Sequence, residues 1–194
     1  TFYFILMTSN HPPFAYDVDA HGFPRDEVTA ELPSSIPSDK KTIDQLGHIW
    51  YAYDVMGRFI KEVEGDDPST LFAVTGDHAE RFNFATDVSL WALSGIPCYF
   101  YGDGVSPDLF SDQIAGSHLQ IAPTLAALIL PAGSSYESLL PPLTQSRSAF
   151  NHKLYIENGH IGDEQALPDS GLKQTMEAAR TVAVWRITKG NALP

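Results

Sequence analysis

The apolar positions of this chain gather into short unbroken runs set between one long interrupted stripe and several polar loops. Phe2–Met7 (FYFILM), Leu71–Thr75 (LFAVT) and Ile96–Tyr101 (IPCYFY) are runs of strand length with few polar positions. Such runs predict strands covered on both faces. The first stops at Thr8-Ser9-Asn10-His11-Pro12-Pro13, where proline cannot donate to a sheet ladder. A polar segment carrying Pro and Gly then reads as a long loop to about Ser38. The stripe is Ile43, Leu46, Trp50, Tyr53, Gly57 and Ile60, at steps of three and four. It predicts a helix over roughly Asp39–Val63 that packs one face on a sheet. Ser38 or Asp39 can cap its start, and Gly65 with Asp66-Asp67-Pro68 can end it.

Further along, His118–Leu130 predicts a helix with Pro123 in an early turn, where a missing N–H does least harm. A Ser/Pro-rich loop follows. Lys153–Glu157 then reads as a short strand, Ser170–Ala179 as a short helix and Thr181–Ile187 as a closing strand. Alternating strands and helices of this kind imply an α/β fold whose sheet is covered on both faces. The chain shows no internal repeat and no low-complexity tract.

At 194 residues, with 43% hydrophobic and 19% charged residues, the chain has the length of one domain and an ordinary globular composition. The net charge of −12 argues against nucleic acid as a partner, because such a surface repels phosphate backbones. The surplus carboxylates read as a solvated surface or as donors to a divalent cation. Cys98 is the only cysteine, which excludes an intrachain disulfide, and its apolar setting predicts a buried, inert thiol. No stretch approaches the ~20 apolar residues that span a bilayer. The chain opens at Thr1 within an apolar run, which gives the expectation that it is a piece of a longer protein.

Ligands of open α/β sheets bind at the carboxyl ends of strands. Two segments answer to that rule, Ser9-Asn10-His11 after the first strand and Gly76-Asp77-His78 after the second. On parallel neighbouring strands they would share one rim. A carboxylate beside an imidazole suits a borderline divalent cation. An Asp-His pair is also an ordinary polar loop dipeptide, and two ligands leave a site incomplete. His118, His152 and His160 are further candidates, each more readily read as a hydrogen-bonded loop histidine or a helix cap; His21 and His48 draw no functional reading. No Gly-rich phosphate loop, GxSxG elbow, CxxC or HExxH motif is present.

Five pieces, taken in order, resemble a family. The segment Thr8-Ser9-Asn10-His11-Pro12-Pro13-Phe14 looks like the strand-His-Pro-aromatic element of lipoteichoic acid synthases and periplasmic phosphoglycerol transferases. The helix Tyr51–Ile60 is similar to the one that precedes their metal strand, and Leu71–His78 to that strand itself. Gly95–Tyr101 resembles the apolar-Pro-apolar strand that follows, and Ser117–Leu125 the helix start with its Pro-Thr-Leu. The resemblance covers about residues 2–130 and leaves 131–194 as a C-terminal subregion. Ala79 stands where the family usually has Gly, and Gln120 where it usually has Asp.

The resemblance implies the C-terminal part of a sulfatase-like catalytic domain in the alkaline phosphatase superfamily. Its fold would be a three-layer α/β/α, mostly parallel sheet with additional small β elements. Asp77 and His78 would be metal ligands, for Mn²⁺ or Mg²⁺ in the synthase branch, with Ca²⁺ or Zn²⁺ as other candidates. His11 would contact the substrate, and Asn10, Glu80 and His118 are additional candidates. The nucleophile and the first acidic ligand belong to a part of the family domain that precedes this chain, so no catalytic nucleophile is expected in it, and Cys98 is misplaced for one. The implied activity is transfer of a phosphoglycerol or phosphoethanolamine group to a glycan or lipid. Alternatives are a sulfatase and a non-catalytic binding module. The implied location is extracytoplasmic, with membrane contact only through an anchor outside this chain. The isolated chain is expected to have little or no turnover.

Overall fold

The structure, a computed structural model, describes residues 1–79, 84, 88–110, 116–145, 148–157, 160–163, 167 and 171–190. The regular elements among these residues are helices and two small antiparallel sheets. In chain order they are α1 (Arg25–Glu31), α2 (Lys40–Asp66), β1 (Leu71–Thr75), α3 (Leu90–Ser94), β2 (Cys98–Gly102), α4 (Ile121–Ile129), β3 (Ala149–Phe150), β4 (Leu154–Glu157), β5 (His160–Asp163) and α5 (Gly171–Lys189).

Helix α2 starts where an aspartate can cap it. The Asp39 carboxylate accepts from the Thr42 N–H at 3.1 Å, which satisfies one of the open donors of the first turn. The helix runs past Gly65 and closes at Asp67, whose N–H donates to the Val63 carbonyl at 2.7 Å. Of the predicted stripe only Ile43 is fully buried. Ile43 joins Val18 and Phe23 in a small core, with Leu46 and Trp50 packed against it, while Tyr53 and Gly57 are exposed. Burying such side chains contributes about 1.5–3 kcal/mol each. Gly47 lets the Val18–Phe23 segment lie directly on the helix, because a Cβ there would stand 2.7 Å from Val18 Cγ2.

Strands β1 and β2 pair antiparallel, from Leu71 opposite Gly102 to Thr75 opposite Cys98. Gly102, at φ 120°, is obligatory at this corner, since a Cβ would come within 2.2 Å of the Thr70 carbonyl oxygen. A second sheet in the order β3-β4-β5, also antiparallel, packs with α5 around Phe150, Tyr155, Leu172, Met176 and Ala179. The spacing of Leu172, Met176 and Ala179 puts them on one helix face.

Three expectations change. Phe2–Met7 joins no sheet among the described residues and lies open to solvent, with Phe4 83% exposed. An unbroken apolar run specifies burial on two faces but carries no partner strand of its own. Thr181–Ile187 is the second half of α5 rather than a strand. A helix already nucleated by its packed first half extends at a cost of only tenths of a kcal/mol per β-branched residue. Cys98 is exposed rather than buried. Partial covering of its sulfur still holds the thiol pKa above the ordinary value, against a smaller opposing pull from a Thr75 hydrogen bond. No pair of described strands is parallel, and the three-layer α/β/α arrangement stays an expectation.

Candidate functional site

Strand β1 delivers Gly76, Asp77 and His78 to its carboxyl end, where its pairing with β2 stops at Thr75. The Asp77 carboxylate folds back on the next residue. Its Oδ1 accepts from the His78 N–H at 2.9 Å, and its Oδ2 lies 3.5 Å from His78 Nε2. Both side chains are accessible, Asp77 the more so. A carboxylate and an imidazole therefore stand side by side at the end of β1, within reach of solvent.

His118 arrives at the same place from 42 residues away. Its Nε2–H donates to the Gly76 carbonyl at 2.8 Å, and Thr75 Oγ1 lies 3.5 Å from the same nitrogen. A carbonyl can only accept, so Nε2 carries the proton and Nδ1 keeps the lone pair when the ring is neutral. That is the arrangement in which metal-ligating histidines are commonly held, one nitrogen donating to a carbonyl and the other left to bind. The position is fixed by the turn that follows. Ser117 caps His118–Gln120, the Ser117 hydroxyl accepting from Leu119 N–H and Gln120 Oε1 from Ser117 N–H at 3.0 Å. Helix α4 begins at Ile121, so Pro123 falls in its first turn.

His11 lies elsewhere in local terms. Its Nδ1–H donates to the Pro12 carbonyl at 2.8 Å, its backbone N–H donates to Thr8, and the segment is tied to α2 through Ser9. Asn10 sits in the same exposed turn. Among the described residues no group of three or more His, Cys, Asp or Glu side chains is gathered to hold a metal ion. The site is thus a pair, Asp77 and His78, with His118 beside it but not closing it. Glu80 lies outside the described residues. His152 and His160 are exposed, the latter with its ring 6.1 Å from Tyr155.

Two histidines without a sequence-based role have defined ones. His48 is buried and donates Nδ1–H to the Ser9 carbonyl at 2.8 Å, which fastens the Ser9–Pro13 turn to α2. His21 accepts at Nε2 from the Tyr16 hydroxyl at 2.7 Å and stacks on its ring. No signal in the sequence points to either, because both pairings depend on how a loop folds over a helix. Comparison with family models, curated proteins and solved structures gives no match. No described helix is long and apolar enough to cross a membrane.

Proposed function

We propose that this chain is the C-terminal part of a metal-dependent phosphoryl-group transferase of the sulfatase-like kind, acting on a phosphate ester carried by a lipid or glycan outside the cytoplasm. The observation that carries this reading is the meeting of His118 with Gly76, beside Asp77 and His78, at the end of β1. The donor set of one carboxylate and one or two imidazoles fits Mn²⁺ or Zn²⁺ in chemistry, though not yet in number. When bound, such a cation would supply Lewis-acid stabilisation of charge on the transferred group. Asp77 and His78 would hold it, His118 would buttress the strand end through Gly76, and His11 would serve the substrate. The three-layer α/β/α fold belongs to the same proposal.

The test is Mn²⁺ binding by the chain, followed by electron paramagnetic resonance and calorimetry. Saturable binding is expected, weakened at least about tenfold, or 1.4 kcal/mol, by Asp77→Ala. Binding that is absent, or indifferent to Asp77→Ala, overturns the proposal. It would favour instead a non-catalytic module, a reading supported by the lack of a third gathered ligand among the described residues. Turnover of a phosphodiester by the isolated chain is expected to be negligible, since the resemblance implies a nucleophile outside this chain.

A further inference from the structure

The segment Phe14–Asp19 arches over the first turns of α2 and leaves a cleft of about 280 Å³ between the two, away from the residues of the proposed metal pair. That is just below the ~300–1,000 Å³ range of small-molecule sites. Tyr16, Asp17, Arg25, Asp44 and His48 line it. Four features bear on what it holds.

Four of the charges in the cleft, on Asp19, Arg25, Lys40 and Asp44, are paired with one another, and the Asp17 carboxylate accepts from the Ala20 N–H at 3.1 Å. Arg25 Nη2 meets Asp19 Oδ2 at 2.9 Å, Arg25 Nη1 meets Asp44 Oδ1 at 3.0 Å, and Lys40 Nζ meets the other Asp44 oxygen. An anionic ligand would have to displace a carboxylate from Arg25 or Lys40. A neutral hydroxylated ligand would not. Each terminal nitrogen of Arg25 keeps a second N–H, and the carboxylates keep lone pairs, so hydroxyl groups can be served as donors and acceptors with the ring of ion pairs intact.

The rim is aromatic and braced. The Tyr51 hydroxyl donates to Tyr16 Oη at 3.2 Å, and Tyr16 donates to His21 Nε2 at 2.7 Å. The Tyr16 ring lies 5.1 Å from His21, nearly parallel, and 4.8 Å from Tyr51, yet remains 48% exposed. A ring held in this way offers an apolar face without further loss of side-chain freedom on binding. Phe14, also in the lining, sits at φ 57°, a strained conformation for a bulky residue. Finally, His48 Nε2 is buried without a hydrogen-bond partner, in a ring whose Nδ1 proton is committed to Ser9. It is a shielded acceptor on a residue that lines the cleft.

The geometry points to a binding site for a neutral monosaccharide unit in this cleft, its apolar face on Tyr16 and its hydroxyls shared between Arg25, Asp17 and Asp44. Nothing in it depends on the metal pair or on the proposed transferase activity, so either can fail without the other.

The test is an NMR titration of the whole chain with glucose, galactose and N-acetylglucosamine, against glucosamine and glucuronate as charged counterparts. Saturable shifts are expected at Arg25 Nε–H and at the amides of 14–19 and 40–48, with at least one neutral sugar binding at a Kd on the order of 1–10 mM. Asp17→Ala, at an exposed loop position that leaves the ion pairs in place, should weaken that sugar about fivefold or more, and Tyr16→Ala should do the same. Tyr16→Phe keeps the ring and tests whether a fold defect, rather than the lost face, explains the alanine variant. No saturable shift up to about 100 mM of any neutral sugar, preference for a charged one, or affinity unchanged in both Asp17→Ala and Tyr16→Ala would overturn the assignment.

Discussion

Gln120 has no exposed surface, and its amide is used at both ends. Oε1 accepts from Ser117 N–H at 3.0 Å while Nε2 donates to the Pro141 carbonyl at 3.2 Å. An ionised aspartate has no donor for Pro141, so glutamine at this position has a local reason: it joins two chain segments through a neutral amide. Truncation would leave a backbone donor and a backbone acceptor without these part-buried hydrogen bonds. Gln120→Ala is therefore expected to lower stability by about 2–3 kcal/mol, read as a fall in the urea midpoint. Asp44 makes a pH-dependent contribution of known sign. Burial pushes its carboxyl pKa up, but hydrogen bonds from Lys40 and Arg25, with their charges, outweigh this and hold it below the ordinary value. A carboxylate whose pKa is depressed on folding stabilises the protein above its unfolded pKa, about 3.9, and loses that contribution as pH falls through the lower folded value. Asp44→Asn should thus reduce the melting temperature at pH 7 and make progressively less difference as the pH is taken below 3. An undiminished gap between the two proteins at acid pH would contradict the assignment of Asp44 as the charged partner.

At the scale of elements, local patterns were legible where one short range of residues decides the outcome. The cap at Asp39, the strand Leu71–Thr75 and its stop before Asp77-His78 follow from neighbours in the chain. The encounters that make the site do not. His118 meets Gly76 across 42 residues and His48 meets Ser9 across 39, through loops whose paths leave no periodic trace. The sense of strand pairing is likewise unwritten in an apolar run, and β1 with β2 is antiparallel. Thr181–Ile187 shows the ambiguity most plainly. Val182 and Val184 flank Ala183 at alternate positions in a β-branched run, as a strand would, yet they stand 43% and 60% exposed on one continuous helix. Thr181 and Thr188 meet that helix halfway, each hydroxyl donating to the carbonyl four residues earlier at 2.9 and 2.8 Å. The two readings give opposite signs for one substitution. In an exposed helical position, Val184→Ala should raise stability by up to about 0.5 kcal/mol. In a strand it should lower it by a comparable amount, so the direction of the shift in thermal or urea unfolding decides.

For the molecule as a whole, the balance between an open apolar segment and a large like charge sets its behaviour in solution. Phe2–Leu6 is exposed along its length, and Thr1–Met7 contains no charged side chain to discourage pairing. An extended apolar strand with open N–H and C=O groups is a template for another strand, and natural sheets usually protect such edges with lysine, proline or a bulge. None of these occurs before Pro12. Against this stands a net charge of −12 on each copy, which repels other copies over distances set by the Debye length. That length is roughly 30 Å at 0.01 M salt and 8 Å at 0.15 M. Repulsion should therefore hold the chain monomeric in dilute buffer and yield as salt is added, the reverse of an association held by ion pairs. Light scattering at fixed protein concentration is expected to report a rising mean mass between low and physiological ionic strength. Phe4→Lys places a charge in the middle of the segment and should suppress that rise while leaving the helix signal in circular dichroism unchanged. If the mass instead falls with salt, association is carried by the acidic surface and its few cations, and the Phe2–Met7 segment is not its seat.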